Sequence, residues 1–465
     1  MSDRSPTNGT TAAPPKRRPS LLRHRDFVNL WSAETISMFG TQVTLLAIPL
    51  VAAQILNVSP FEFGLLTTIE FLPFILVSLP AGVWVDRLPR RPILIVGDVG
   101  RAIALASIPI AFYFDVLTIW HLYVVGFTTG CLTVFFDVAY QAYLPSLVDR
   151  EDLVEGNSKL EASRSAAQIA GPGTAGLLIG IVTAPIAIVI DTLSFVASAL
   201  FIFRIRKAEP PPEQSATPQG TKGPSMRREV AEGLRYVLGN RYLRAIAACT
   251  GSSNFFSNVF FAILILYLVR ELGLTAEALG FAFSIGAFGF LAGALVSNRI
   301  SKRTGVGPAI IASSFVAGVA WLPFVFAPAE LALASIAFSM GISSFAIAVY
   351  NITQVSFRQA ITPQRMQGRM NATMRFIVWG TIPLGSILGG FLGGVIGLRE
   401  TILVGVVGSL FPFLPVLFSP VRGLREMPEP EGPEATPGRL DADALGDAID
   451  ETPGPVAKAP DPSGS

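Results

Sequence analysis

The chain has 465 residues, 51% of them hydrophobic and 15% charged, with a formal net charge of +2 and a mean hydropathy of +0.54. Soluble domains carry about 25% charged residues, and a single hydrophobic core rarely grows past about 300 residues. One soluble domain is therefore excluded, and the composition points to an integral membrane protein with no nucleic-acid partner.

Residues 1–26 are polar, contain Pro, Thr and Arg, and lack an apolar h-region. They read as a tail rather than a cleavable signal peptide. A membrane-crossing helix needs about 20 apolar residues. By that measure residues 27–205 hold six candidate spans: 27–56, 61–85, 93–114, 118–144, 160–182 and 185–205. Turn chemistry such as Asn57-Val58-Ser59-Pro60 and Thr183-Ala184-Pro185 separates neighbours.

Ionisable residues inside a span are costly and mark functional candidates. Glu34 lies in the inner part of span one, followed by a polar stripe of Thr35, Ser37, Thr41, Gln42 and Thr44. Glu70, near the middle of span two, has no basic neighbour in sequence. It is the preferred proton-carrying or cation-binding carboxylate, although a protonated or hydrogen-bonded structural role fits the same pattern. In span three, Asp98 and Arg101 stand three apart and can neutralise one another on one helix face. Asp137 in span four and Arg164 near the start of span five form a second possible pair. Span five also contains Gly171-Pro172-Gly173-Thr174-Ala175-Gly176, where Pro172 can bend the helix and the glycines admit a close neighbour.

Residues 206–242 divide the chain. PPPEQSATPQGTKGP should be flexible. From Met226 to Leu238, Val230, Leu234 and Val237 recur at helical spacing among basic residues, which predicts a short amphipathic helix on the inner leaflet. Residues 243–420 hold six more spans: 243–269, 275–298, 307–327, 330–356, 371–396 and 399–419. Along span eleven Gly385, Gly389, Gly393 and Gly397 recur every four residues and predict a smooth helix contact. Residues 421–465 are rich in Pro, Glu, Asp and Ala and are expected to be disordered. The predicted fold class is an all-α integral membrane protein of twelve helices in two pseudo-symmetric six-helix halves.

Charge asymmetry gives the orientation. Of the 35 Lys and Arg, only Arg270 and Arg399 fall in loops after odd-numbered spans, and Arg101 lies inside a span. The rest lie at the termini, in loops after even-numbered spans or at the adjoining helix ends, so both termini are expected to be cytoplasmic. The halves also repeat: LPAGVWVDRLPRR (Leu79–Arg91) and LAGALVSNRISKR (Leu291–Arg303) align without a gap at an offset of 212 residues. Duplicated halves suggest a carrier that rocks one half against the other.

The stretch Gly82-Val-Trp-Val-Asp86-Arg87-Leu-Pro-Arg90-Arg91 has the form G-x-x-x-D-R-x-x-R-R at the end of span two. It resembles the loop signature of the major facilitator superfamily. FDVAYQAYLPSLVDREDLVEGNS from Phe136, LEASRSAAQIAGPGTAGLLIG from Leu160 and Asp191-Thr-Leu-Ser-Phe195 look like the branch holding enterobactin-type siderophore exporters and macrolide efflux proteins. The resemblance covers about residues 21–420. It implies a lock between the halves, in which Asp86 meets the start of span eleven, where Asn371 and Arg375 stand. The second repeat carries Asn298-Arg299 in place of Asp86-Arg87, so such a lock would be charged on one side only. A positive-inside anchor with one incidental carboxylate is the plainer reading of the same hairpin. Span four lacks the arginine that family members often carry there.

No G-x-x-x-x-G-K-[ST], H-E-x-x-H or G-x-S-x-G pattern is present, and His24 and His121 are too few and too far apart for a metal site. No cofactor, metal or catalytic residue is expected, and transport must draw on an ion gradient. The resulting expectation is a monomeric plasma-membrane secondary carrier, proton-coupled, exporting a small hydrophobic or amphipathic compound of drug, macrolide or siderophore type. Phe71, Phe74, Phe135, Asn254, Phe255, Phe256, Tyr350 and Asn351 are its candidate cavity residues, with Glu34 and Asp137 as alternatives to Glu70 for coupling. Two rivals stand beside it. One is an importer or lipid-handling carrier on the same fold. The other is a non-transporting sensor or membrane-embedded enzyme, which should show an added soluble domain or a clustered His/Asp/Cys site.

Overall fold

The computed structural model describes residues 21–85, 87–207, 209 and 226–426, and among them the regular elements are helices. Asp86, most of the central segment before Met226, the N-terminal tail to residue 20 and the tail beyond residue 426 lie outside the described residues. The first half comprises α1 (Arg25–Leu50), prolonged by a π-helical turn (Val51–Ile55), then α2 (Pro60–Leu76), α3 (Ser78–Val85), α4 (Arg90–Tyr113), α5 (Ile119–Leu147), α6 (Leu153–Val182) and α7 (Ala184–Phe203). After α8 (Met226–Gly239), the second half comprises α9 (Arg241–Arg270), α10 (Ala276–Thr304), α11 (Val306–Val319), α12 (Leu322–Phe326), α13 (Ala332–Ala360), α14 (Gln364–Val395), α15 (Leu398–Gly408) and α16 (Leu414–Leu417).

All twelve expected spans are helical. Ten segments among the described residues are long and apolar enough to cross a membrane. The ninth span, one of these ten, is interrupted by a turn at Ala320–Trp321 between α11 and α12. The remaining two spans, second and twelfth, are each broken in two, and proline explains both of these breaks. Pro73 and Pro80 flank the interruption at Val77, and Pro412 and Pro415 lie at the interruption between α15 and α16. Each lacks the N–H that would bond the carbonyl four residues earlier. Pro172, by contrast, sits inside an unbroken α6. The fifth span begins earlier than expected, because the polar run Leu153–Lys159 is already helical.

Packing repeats between the halves. In the first half α1 packs on α6 and α7, and α4 on α5 and α7; in the second half α9 packs on α14 and α15, and α11 on α13. Two larger seams join the halves: α2 against α14, and α6 against α10. Both lie at the same end of the bundle, where the odd-numbered spans finish. There Gly64 faces Ser386 and Gly390, and Gly176 faces Ala276 and Gly280. A Cβ on Gly64 would lie 2.5 Å from the Ser386 carbonyl oxygen, so only glycine permits this backbone approach. One buried apolar cluster crosses both halves at that end, including Phe63, Leu66 and Ile179 with Phe260, Ile263 and Ile402. Toward the other end the buried clusters are separate, one around Phe27, Leu94 and Leu147 and one around Ile246, Phe357 and Met370. The molecule is therefore sealed where the odd-numbered spans end.

The amphipathic helix forms as α8, but it packs on protein rather than simply resting on lipid. Val237 is fully buried among Leu243, Ile246 and Met370, whereas Leu234 remains exposed. Glu232 pairs with Arg369 of α14 at 2.9 Å. The side chain of Val230 is not described.

Candidate functional site

A cavity of about 430 Å³ opens inside the first half. Polar residues along one face of α1 supply a wall: Glu34, Ser37, Thr41, Gln42 and Thr44. The second span contributes Glu70, Phe71 and Phe74, the fourth Asp137, and the fifth Arg164. The stripe seen in sequence thus becomes a surface because its members recur on one side of a single helix. The volume falls in the range of small-molecule pockets, about 300–1,000 Å³.

The charged groups divide into satisfied and unsatisfied sets. Asp98 and Arg101 are paired at 2.6 Å and buried. Ser198 donates to the other Asp98 oxygen at 2.6 Å. The Arg101 guanidinium lies between the Phe136 and Phe195 rings, 4.2 Å from each centroid. Asp191 accepts hydrogen bonds from Thr44 and Ser194. These two carboxylates are held in place and tie α4 and α1 to α7.

Glu34, Glu70 and Asp137 are different. Glu34 is buried, and its Oε2 has no hydrogen-bond partner. No hydrogen bond or ion pair reaches Glu70 or Asp137 among the described residues. Glu70 lies against Gly126 of α5, where an added Cβ would stand 3.0 Å from its Cγ. Asp137 is exposed in the cavity, and the expected Asp137–Arg164 pair is not made: Arg164 lies 3.9 Å from Glu161 on its own helix. All three coupling candidates therefore line one chamber, and Arg101, the cation buried beside them, is already committed to Asp98.

The aromatic and amide candidates separate by half. Phe71 and Phe74 line the cavity, and Phe74 also meets Trp379 of α14 edge-on, with centroids 6.3 Å apart. Phe135 does not line it but stacks on Trp84. Asn254 donates to the Val378 carbonyl at 3.3 Å, Phe255 packs edge-on against Phe256, and Phe256 lies against Gly408 of α15. Tyr350 is buried, its hydroxyl 2.6 Å from that of Thr250. Asn351 is half-buried on the same helix. None of the second-half candidates is among the residues lining this chamber.

The basic hairpin is tied within its own half. The Arg90 and Arg91 backbone N–H groups donate to Glu209, at 2.8 and 3.3 Å. Arg90 also pairs with Glu209 at 3.3 Å. Arg91 donates to the Ile202 and Phe203 carbonyls, at 3.3 and 2.6 Å. A carboxylate thus sits at the start of α4 and a cation at the end of α7, as the helix dipoles favour. Gly82 is half-buried in α3, and Arg87, Asn298, Arg299 and Asn371 are exposed, Asn371 standing about two turns inside α14 rather than at its start as expected. Arg375 is also exposed and lies over the Trp379 ring at 4.1 Å. Gly171 faces Gln42 of α1, whereas Gly176 and the Pro172 carbonyl face α10 across the seam. Of the glycine ridge, Gly385 and Gly389 lie against α9 in their own half, Gly393 also meets Pro60 across the seam, and Gly397 stands beyond the end of α14.

Two partners were invisible in sequence. Glu209 is one, since nothing in a Pro-rich connector marks it as a helix cap. Arg270 is the other: its guanidinium donates from α9 to the Ala53 carbonyl of the π-turn, at 3.2 and 3.4 Å. Its only sequence signal was its rarity, a cation on the side that almost lacks them.

The sequence profile described as Major Facilitator Superfamily matches residues 30–383 and again residues 246–449. The chain is 28% identical over 402 residues to the multidrug efflux pump Tap of Mycolicibacterium fortuitum, covering 81% of this chain and 93% of that protein. It is 26% identical over 220 residues to macrolide efflux protein A of Streptococcus pyogenes, covering 47% and 53%. Among solved structures, a bacterial homologue of the iron transporter ferroportin in an inward-facing state superimposes with TM-score 0.68 at 16% identity, covering 86% of this chain and 99% of that one. A bacterial homologue of the lysosomal transporter Spinster, inward-facing and occupied, gives TM-score 0.66 at 14% identity, covering 86% and 97%. These likenesses are to the fold.

Proposed function

The chain belongs to the major facilitator superfamily, and from that premise we propose that it is a proton-coupled exporter of small hydrophobic or amphipathic compounds working by alternating access. The observation that carries the reading is the first-half chamber, in which three carboxylates that make no salt bridge among the described residues line one cavity with Phe71 and Phe74. A carboxylate in a partly desolvated site can exchange a proton at modest cost, and apolar rings beside it accept an amphipathic body. The unpaired charge favours neutral or cationic substrates over anionic ones. The efflux direction rests on the relatives named above; import or lipid handling on the same fold is the competing reading.

Glu70 is the proposed proton carrier, with Glu34 and Asp137 next. Glu70→Gln keeps the shape and removes the titratable group. In proteoliposomes this variant should lose pH-driven export while still binding substrate. An unchanged pH dependence would remove Glu70 from the mechanism. Import under an outward-directed gradient would instead replace the direction of transport.

The proposed setting is the plasma membrane, with a monomer whose two termini are cytoplasmic. The sealed end then faces outward and the chamber opens inward. Cysteines introduced at Ser59 and Thr183 should react with an impermeant thiol reagent in intact cells, and one at Ala216 should not. Labelling at position 216 would reverse the orientation.

A further inference from the structure

A second cavity lies far from the chamber, on the outer face of the second half. It is a groove of about 640 Å³ between α11 and α16. Its walls are Ile311, Ala312 and Phe315 on one side and Phe413 and Leu417 on the other, with Arg422 at one end. Phe315 and Phe413 meet edge-on, with centroids 5.2 Å apart. Ala312 and Phe315 are exposed. In a bilayer such a surface faces hydrocarbon, so an acyl chain is its natural filling.

The charge at the end of the groove sets the headgroup. Arg422 is exposed and makes no side-chain hydrogen bond or ion pair among the described residues. Arg425 follows closely, its Cα 3.1 Å from the Cβ position of Gly305 at the end of α10, and Lys302 and Arg303 are exposed on that same helix end. The corresponding place in the first half is filled: Glu209 neutralises Arg90, and Arg91 is spent on the carbonyls ending α7. In the second half a backbone carbonyl, Leu424, takes the Gly307 N–H at 2.9 Å instead of a carboxylate. The duplicated fold has thus left one of two equivalent helix ends cationic and next to an open apolar slot. Cationic clusters at the membrane–water interface select anionic headgroups.

We propose that the groove between α11 and α16 binds one anionic phospholipid, its acyl chain along Phe315 and Phe413 and its phosphate on Arg422. The detergent-purified full chain is examined by native mass spectrometry with phosphatidylglycerol or phosphatidylcholine of identical acyl chains. Wild type should retain one phosphatidylglycerol in preference to phosphatidylcholine. Arg422→Gln should cut that retention roughly fivefold, the worth of one interfacial cation. Ala312→Trp, which fills the slot and keeps the charge, should also abolish retention. Soluble glycerol phosphate should not displace the lipid. Equal retention of the two lipids by wild type, or unchanged retention in either variant, overturns the proposal. Displacement by glycerol phosphate would do the same, since it would mark a free-anion site that does not need the groove.

Discussion

At the scale of single residues, the same side-chain type has opposite fates a few ångströms apart. Asp98 is fully buried and tolerable because Arg101 and Ser198 satisfy it, and Phe136 and Phe195 sandwich the guanidinium. Removing one partner of a buried pair strands the other charge, at a cost of about 3–5 kcal/mol. Arg101→Met should therefore lower the thermal midpoint of the purified protein clearly. Asp98→Asn should cost less, because Arg101 keeps the Gly97 carbonyl and the Phe136 and Phe195 rings as partners. Equal midpoints for Arg101→Met and wild type would show that Asp98 is already neutral or finds another partner. Glu34, Glu70 and Asp137 lack such shells, as the proposed proton exchange requires. Sequence spacing exposed the Asp98–Arg101 pair, since residues three apart share a helix face. It misled for Asp137 and Arg164, because pairing between helices depends on where both side chains end up, and Arg164 turns toward Glu161.

At the scale of elements, small residues decide which helices can move against each other. The α2–α14 seam depends on Gly64 lying against the Ser386 carbonyl and Gly390. Gly64→Leu cannot be absorbed by backbone on the other side, so it should wedge the sealed end apart. A cysteine reporter at Thr41, inside the chamber, should then react faster from the side of the sealed end. Gly394→Leu, on α14 across that seam but with open space around its Cβ position, should leave the reporter unchanged. If both variants behave alike, the seam is not a gate. The broken second and twelfth spans were half-legible: Pro80, Pro412 and Pro415 stand plainly in the sequence, yet Pro172 is accommodated within a continuous helix. Proline states where a helix loses a hydrogen bond, and the neighbours determine whether it also breaks.

At the scale of the whole molecule, one observed contact and one proposed one would bias the balance between states in opposite senses. Arg270 bridges to Ala53 at the sealed end. A hydrogen bond from a charged donor contributes about 1.5–3 kcal/mol, which is roughly tenfold or more in a two-state equilibrium. Arg270→Gln should shift the population toward the state open at that end. Asp86, placed by its motif at the other end, should act in reverse. Asp86→Asn would weaken closure there by about 1–2 kcal/mol if the carboxylate meets the start of α14 or Arg375; Asn298→Asp should do much less. Accessibility of the same chamber reporter from each side, at matched expression, reads all three variants. Shifts of the same sign for Arg270→Gln and Asp86→Asn would refute the two-ended lock. An unaltered Asp86→Asn would leave that residue as part of a membrane anchor.

The sequence by itself determined the class, the helical spans, the division into two halves and the family signature. Each of these is written in local composition or in a repeat, and a bilayer leaves a long apolar segment with few options besides a helix. Tertiary structure alone decided which end is sealed, that the chamber with its three unpartnered carboxylates lies in the first half, and that Glu209 and Arg270 serve as tethers. The halves are alike enough in pattern that hydropathy cannot distinguish their roles. What separates them is the contact of residues far apart in the chain, such as Arg270 with Ala53 and Gly64 with Gly390, and such contacts exist only once the helices have packed.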